Sequence, residues 1–220
     1  MPPTPIPTLT HTFPSTSPQS PSSTLQLLQH LTTSLTPPPL THALIFLGGL
    51  GDTPLSIPYV RSLATSPVSL SEYTIFELRL SSSSSAFGYS SLKQDASEIR
   101  DCVLYLRSVL GVQKIVLMGH STGCQDCLEY ALNYGRASEE GGRDAEEERV
   151  DGVILQGPVS DREAIGMSCG DREVEESLKV ARELIEQGKE EEIMPKEKMP
   201  EGWRGSPVSA YRWWSLAGVG

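Results

Sequence analysis

Apolar positions fall along the chain in two alternating patterns. Ala43 to Leu47 is a short, continuously apolar run that ends in Gly48-Gly49. Such a run suits a strand buried on both faces, as parallel sheets require. Tyr73 to Leu80, Lys114 to Met118 and Val150 to Gln156 are further strand candidates. Runs of helical spacing separate them. In Ser91 to Leu110, the residues Leu92, Ala96, Ile99, Val103, Leu106 and Leu110 step by four and three and form one stripe. Ser91 with Gln94 resembles a capping box, and Gly111 is a stop signal. A second helix is expected from about Thr122 to Tyr134. A third runs from Asp171 to Gln187, with Val174, Leu178, Ala181 and Ile185 on one face and Gly188 after it. Leu25 to Leu35 also has helical spacing, at Leu27, Leu28, Leu31 and Leu35, and Pro37-Pro38-Pro39 ends it. Strands alternate with helices from about residue 42 to 188. That order predicts an α/β fold with a mostly parallel sheet and helices on both faces.

Outside the alternating region the composition changes. Residues 1–24 are rich in Pro, Ser and Thr and read as a flexible leader. Residues 25–220 are expected to be one domain, with an acidic surface loop over 135–149 and a candidate cap helix over 171–188. The length of 220 residues suits a single core but is short for a three-layer α/β domain. An incomplete C-terminus is therefore expected. The chain has 28 Asp and Glu against 18 Lys and Arg. That balance argues against nucleic acid or an anionic membrane as a partner. No stretch approaches the roughly 20 apolar residues of a membrane span, and the start lacks a signal-peptide pattern. The expectation is a cytoplasmic protein with a small-molecule partner. Oligomeric state is not legible.

The strand candidate Lys114 to Met118 is followed by Gly119-His120-Ser121-Thr122-Gly123 and then by the second helix. A Gly-x-Ser-x-Gly alone arises by chance in a chain of this length about one time in ten. Its strand-turn-helix context marks a nucleophile elbow. Side chains at Gly119 and Gly123 would clash where strand and helix meet. Ser121 then stands exposed above the sheet as a nucleophile, and the Thr122 N–H at the helix start can hold an oxyanion. A second oxyanion donor belongs to the loop after the earlier strand, where Gly48-Gly49-Leu50-Gly51 lies. The Leu50 N–H is the candidate, with Gly49 allowing the turn. His120 is expected to be structural, because an elbow points adjacent side chains in different directions. Cys124 and Cys127 have a redox-like spacing but fall inside a helix, where packing explains them better. No cofactor or metal is called for.

The general base is missing. In this fold the order is Ser, then Asp or Glu, then His, yet His11, His30, His42 and His120 all precede Ser121. Asp161, after the strand candidate Val150 to Gln156, is the available acid.

Several segments together resemble a known family. They are Ile45 to Asp52, Glu77 to Ser82, Gly88 to Asp95, Met118 to Asp126, Gln156 to Ala164 and Pro207 to Trp213. The chain is similar to a fungal α/β-hydrolase family, largely uncharacterised, that includes an intracellular esterase of fusarinine-type siderophores. The resemblance implies the α/β-hydrolase fold and an ester hydrolase with Ser121 as nucleophile, hydroxamate siderophore esters among its substrates. It also implies a further strand, acid and histidine beyond Gly220. Two readings stay open here. One is a serine esterase. The other is a catalytically incomplete protein of the same fold, a binding protein or a truncated product.

Overall fold

Strands β1 (Thr8–Pro14), β2 (Thr24–His30), β3 (His42–Leu47), β4 (Tyr73–Arg79), β5 (Lys114–His120) and β6 (Gly152–Gln156) form one sheet in the order β1-β2-β4-β3-β5-β6. β1, β2 and β4 pair antiparallel, whereas β4, β3, β5 and β6 are parallel neighbours. The helices are α1 (Pro58–Thr65), α2 (Leu92–Ser108), α3 (Gly123–Asn133), α4 (Asp161–Ser168), α5 (Asp171–Glu186) and α6 (Ala210–Ala217). The computed structural model describes residues 7–17, 24–31, 40–65, 72–135 and 146–218.

The uninterrupted apolar run of β3 follows from its two covered faces. Ala43, Ile45 and Leu47 pack with Ile99, Val103 and Leu106 of α2 and Cys127 and Tyr130 of α3. Leu44 and Phe46 pack on the other face with Val60 and Ala64 of α1. Ser91 caps α2 by accepting from the Gln94 N–H at 3.2 Å. The Gln94 side chain also reaches beyond the cap. It donates to Ser81 Oγ at 2.7 Å, tying the serine-rich turn to the helix. A third apolar cluster joins α4, α5 and α6 around the buried Trp213, whose Nε1 donates to Ser177 Oγ at 2.9 Å. Leu50 and Phe87 pack against this cluster and so attach the cap to the rim of the sheet.

Two expectations for the N-terminal region are corrected. Residues 8–14 of the expected leader form β1, and the expected helix from Leu25 begins as β2. The leucine spacing is compatible with a helix, but Leu25 and Leu27 also alternate inward, and β1 and β4 supply ladder partners on either side. Tertiary pairing outweighs local periodicity here. β1 lies at the sheet edge, where Pro14 and a run of Thr are tolerated. The same residue types mark disordered segments, so composition misleads. The acidic run 135–149 lies mostly outside the described residues. Its end is anchored, because Glu148 pairs with Arg100 at 2.5 Å.

Phe13 of β1 is buried and stacks on Tyr105 of α2, with ring centroids 4.8 Å apart. Phe13→Ala is expected to lower unfolding stability by about 3 kcal/mol, read from the urea midpoint. A flexible leader would show no change.

Candidate active site

The parallel strands divide between β3 and β5. From β3 the chain moves to β4 on one side, and β5 and β6 lie on the other. Loops at the C-terminal ends of strands diverge at such a point and leave a crevice where ligands bind. The loop Gly48–Asp52 follows β3 there, and Ser121 follows β5.

Ser121 has φ of 53°, a left-handed conformation. For a residue with a side chain this costs roughly 1–2 kcal/mol. Its neighbours hold it in place. The Ser121 N–H donates to the Gln156 carbonyl at 3.0 Å, and the Ser121 carbonyl accepts from the Cys124 N–H at 3.1 Å. The expected glycines are sterically required. A Cβ on Gly119 would lie 2.4 Å from the Gly123 carbonyl oxygen, and one on Gly123 would lie 2.4 Å from that of Gly48.

The loop after β3 closes on Asp52. Asp52 Oδ2 accepts from the Gly49 N–H at 2.7 Å, and the Asp52 N–H donates to the Gly49 carbonyl at 3.0 Å. The left-handed turn residue is Gly51, with φ of 83°. Gly49 serves close approach instead: a Cβ there would lie 3.0 Å from Ser121 Cβ. The Leu50 and Thr122 N–H groups make no hydrogen bond among the described residues. Both residues wall one cavity of about 40 Å³.

No histidine hydrogen-bonds to Ser121 among the described residues. His120 bonds Gln156 through Nδ1 and packs against Phe46 and Tyr59, the structural role expected of it. His30 is buried against Glu77 at 2.6 Å. His42 begins β3, at the opposite end of the sheet, and His11 bonds Gln29 and Tyr105. No histidine hydrogen-bonds to Asp161 among the described residues. It opens α4 and accepts from Gln125 Nε2 at 2.9 Å. Burial raises its pKa, while Gln125 and Arg212 oppose the rise. Cys124 and Cys127 are free thiols, and burial pushes both pKa values up rather than down. That is the reverse of what a redox pair needs.

A family model described as "Protein of unknown function (DUF1749)" matches residues 1–220. The chain belongs to this family. The Fusarinine C esterase sidJ of Aspergillus fumigatus is 34% identical over 186 residues, covering 77% of this chain and 51% of that protein. The siderophore hydrolase EstB from Aspergillus fumigatus superposes with a TM-score of 0.68 at 30% identity, covering 100% of this chain and 66% of that one. An α/β-hydrolase fold protein of unknown function superposes with a TM-score of 0.60 at 18% identity, covering 99% of this chain and 64% of that one, which bears on fold alone. The fold of this DUF1749 chain is thus the α/β-hydrolase fold. The chain spans about half the length of the curated relatives it matches.

Five charged residues of the same cavity carry no expected role from the sequence. Asp52, Glu77, Asp95, Asp126 and Arg212 all lie inside the segments that carry the family resemblance. Resemblance marks the segments without saying which side chains converge. Burial pushes the Asp95 carboxyl up to about 6, Glu98 adds to the rise, and Ser82, Arg212 and Ser90 oppose it. Asp126 is pushed well above the ordinary carboxyl range, first by burial and then by Asp95, with Asp161 and Glu129 adding and Arg212 opposing.

Two predictions arise from the strain and the buried charge. Ser121→Gly removes the left-handed strain at the cost of some backbone entropy and is expected to gain about 1 kcal/mol net. A lowered urea midpoint would contradict a strained turn. Asp126 is the second case. A carboxyl with a raised folded pKa stabilises the fold while protonated. That contribution is present below the unfolded value, near 4, and is lost as pH rises through the folded value. Asp126→Asn stays neutral, so its stability relative to the wild type should grow between pH 4 and pH 8. Parallel pH profiles of the two proteins would refute the shift.

Proposed function

We propose that this chain carries the nucleophile and oxyanion site of a serine ester hydrolase. One observation carries the reading: Ser121, held at φ of 53°, stands at the sheet's switch point beside two N–H groups that have no acceptor. Ser121 Oγ would add to an ester carbonyl carbon as its proton passes to a base. The resulting oxyanion would lie between the Leu50 and Thr122 N–H groups. Each such donor is worth about 3 kcal/mol in the transition state. Collapse expels the alcohol, and water then hydrolyses the acyl group from Ser121. The names of the relatives, a fusarinine C esterase and a siderophore hydrolase, favour siderophore esters as the substrate class. Among the described residues no histidine bonds Ser121 to serve as that base.

A second reading is a non-catalytic binding protein. It is favoured by the absence of any histidine bonded to Ser121 among the described residues. External imidazole separates the two. With the nucleophile in place, imidazole should act as the missing base and speed p-nitrophenyl acetate hydrolysis above the imidazole background. Ser121→Ala should abolish the increment. Equal rates for both proteins at every imidazole concentration would remove Ser121 as nucleophile and leave the binding reading.

A further inference from the structure

The proposed chemistry leaves a group of buried charges beside it unused. Asp95 of α2, Asp126 of α3, Asp161 of α4 and Arg212 of α6 wall the same cavity as Leu50 and Thr122. Asp52 and Glu77 also reach it. Most of these carboxyls have donors of their own. Asp52 takes the Gly49 N–H, and Glu77 takes His30 and the Leu55 N–H. Asp95 takes Ser90 Oγ at 3.1 Å, and Asp161 takes Gln125. Asp126 is different. It is 8% exposed, it lines the cavity, and its carboxyl has no hydrogen-bond donor among the described residues.

A carboxyl this buried ordinarily has a donor. Arg212 does not supply one to Asp126. Its Nε donates to the Phe87 carbonyl at 3.0 Å, and it acts on Asp126 only as a nearby charge. With Asp95, Asp126 and Asp161 ionised, one guanidinium faces three carboxylates, so the cavity is short of positive charge. Among the described residues no group of His, Cys, Asp or Glu is arranged to hold a metal ion. An organic cation fits better. One water needs roughly 10–15 Å³ of such space, so about 40 Å³ takes an ammonium head and the carbon that bears it. An ammonium offers three donors and no acceptor, which suits a wall made of carboxyls.

We propose that this cavity is the subsite for an alkyl-ammonium group of the substrate, with Asp126 as its main partner and Asp161 and Asp95 beside it. The ammonium and the scissile ester belong to one molecule, because the cavity that holds the first is walled by Leu50 and Thr122, the residues whose N–H groups would hold the second. This specificity rests on Ser121 being the ester-cleaving nucleophile, but cation binding itself does not. A carboxylate-bearing ester is disfavoured by like charge wherever these carboxyls are ionised. The raised carboxyl pKa values make a second demand: an arriving ammonium displaces a proton, so binding releases one and tightens as pH rises.

Titration calorimetry of the purified chain with n-butylammonium and with n-butanol tests this without turnover. At pH 8 the ammonium should bind at least tenfold tighter than the alcohol. Its binding enthalpy should change with the ionisation enthalpy of the buffer. Asp126→Asn should lose the preference, and Asp161→Asn should weaken it. Ser121→Ala should bind the ammonium like the wild type, so failure of the nucleophile reading is visible separately. Equal affinity for ammonium and alcohol would overturn the proposal. So would an undiminished preference in Asp126→Asn, with Asp161→Asn serving as the deciding variant if Asp126→Asn does not fold.

Discussion

Three backbone segments touch at one place, and the rest of the candidate site depends on that contact. The end of β3, the turn after β5 and the start of α3 approach so closely that a single Cβ on Gly119 or Gly123 would sit 2.4 Å from a carbonyl oxygen. Nothing larger than hydrogen fits between them. The contact sets the turn, and the turn sets Ser121 in its left-handed conformation. It also draws the loop Gly48–Asp52 against the serine, because Gly49 lies where its own Cβ would press on Ser121 Cβ. The Leu50 and Thr122 N–H groups are left without acceptors as a result. A site of this kind is paid for in strain at one residue and in conformational freedom at three glycines.

Charge does for the cap what backbone contact does for the elbow. Among the buried side chains of α6, Arg212 and Trp213 reach different parts of the molecule. Trp213 fills the apolar cluster of the cap and reaches Ser177 of α5. Arg212 reaches Phe87 on the core and acts on carboxyls from α2, α3 and α4. Gly88 allows the close pass: its carbonyl accepts from the Ser209 N–H at 2.8 Å, and a Cβ there would strike the Pro207 carbonyl. Buried charges are costly unless balanced. One guanidinium set among carboxyls from several helices therefore favours a single arrangement of cap on core.

The central strands and their helices were legible because each pattern had one solution. A short apolar run bounded by turn residues suits a covered strand, so β3 and β5 appear in the sequence to within two residues. α2 carries its own stripe and cap, and its expected start at Ser91 is the observed N-cap. The N-terminal hairpin was not legible. Thr8–Pro14 has the composition of a disordered segment, and Thr24–His30 has leucines at helical spacing. Both become strands only because β4 offers an edge. α6 was hidden because its aromatic residues signal burial without period. The motif located Ser121 and the glycines. It did not reveal the carboxyl cluster, since Asp95, Asp126 and Asp161 are far apart in sequence and meet only through the packing of α2, α3 and α4.

The carboxyls are also the least comfortable part of the fold, and their position explains why they persist. Replacing Asp126 by an amide would remove a buried ionisable group that has no donor, at little steric cost. Stability alone therefore does not account for the residue. Local rules of this kind are broken most often where a protein binds or reacts. Here the broken rule adjoins the strained serine. β6 shows a related feature. Among the described residues it pairs only with β5 and leaves Ile154 and Leu155 44% and 38% exposed. Yet its last residue, Gln156, holds both His120 and the Ser121 N–H. The shortest strand of the sheet thus positions Ser121. Whatever steadies β6 must also steady Ser121, and the two free N–H groups can act on a carbonyl only while that strand stays in register.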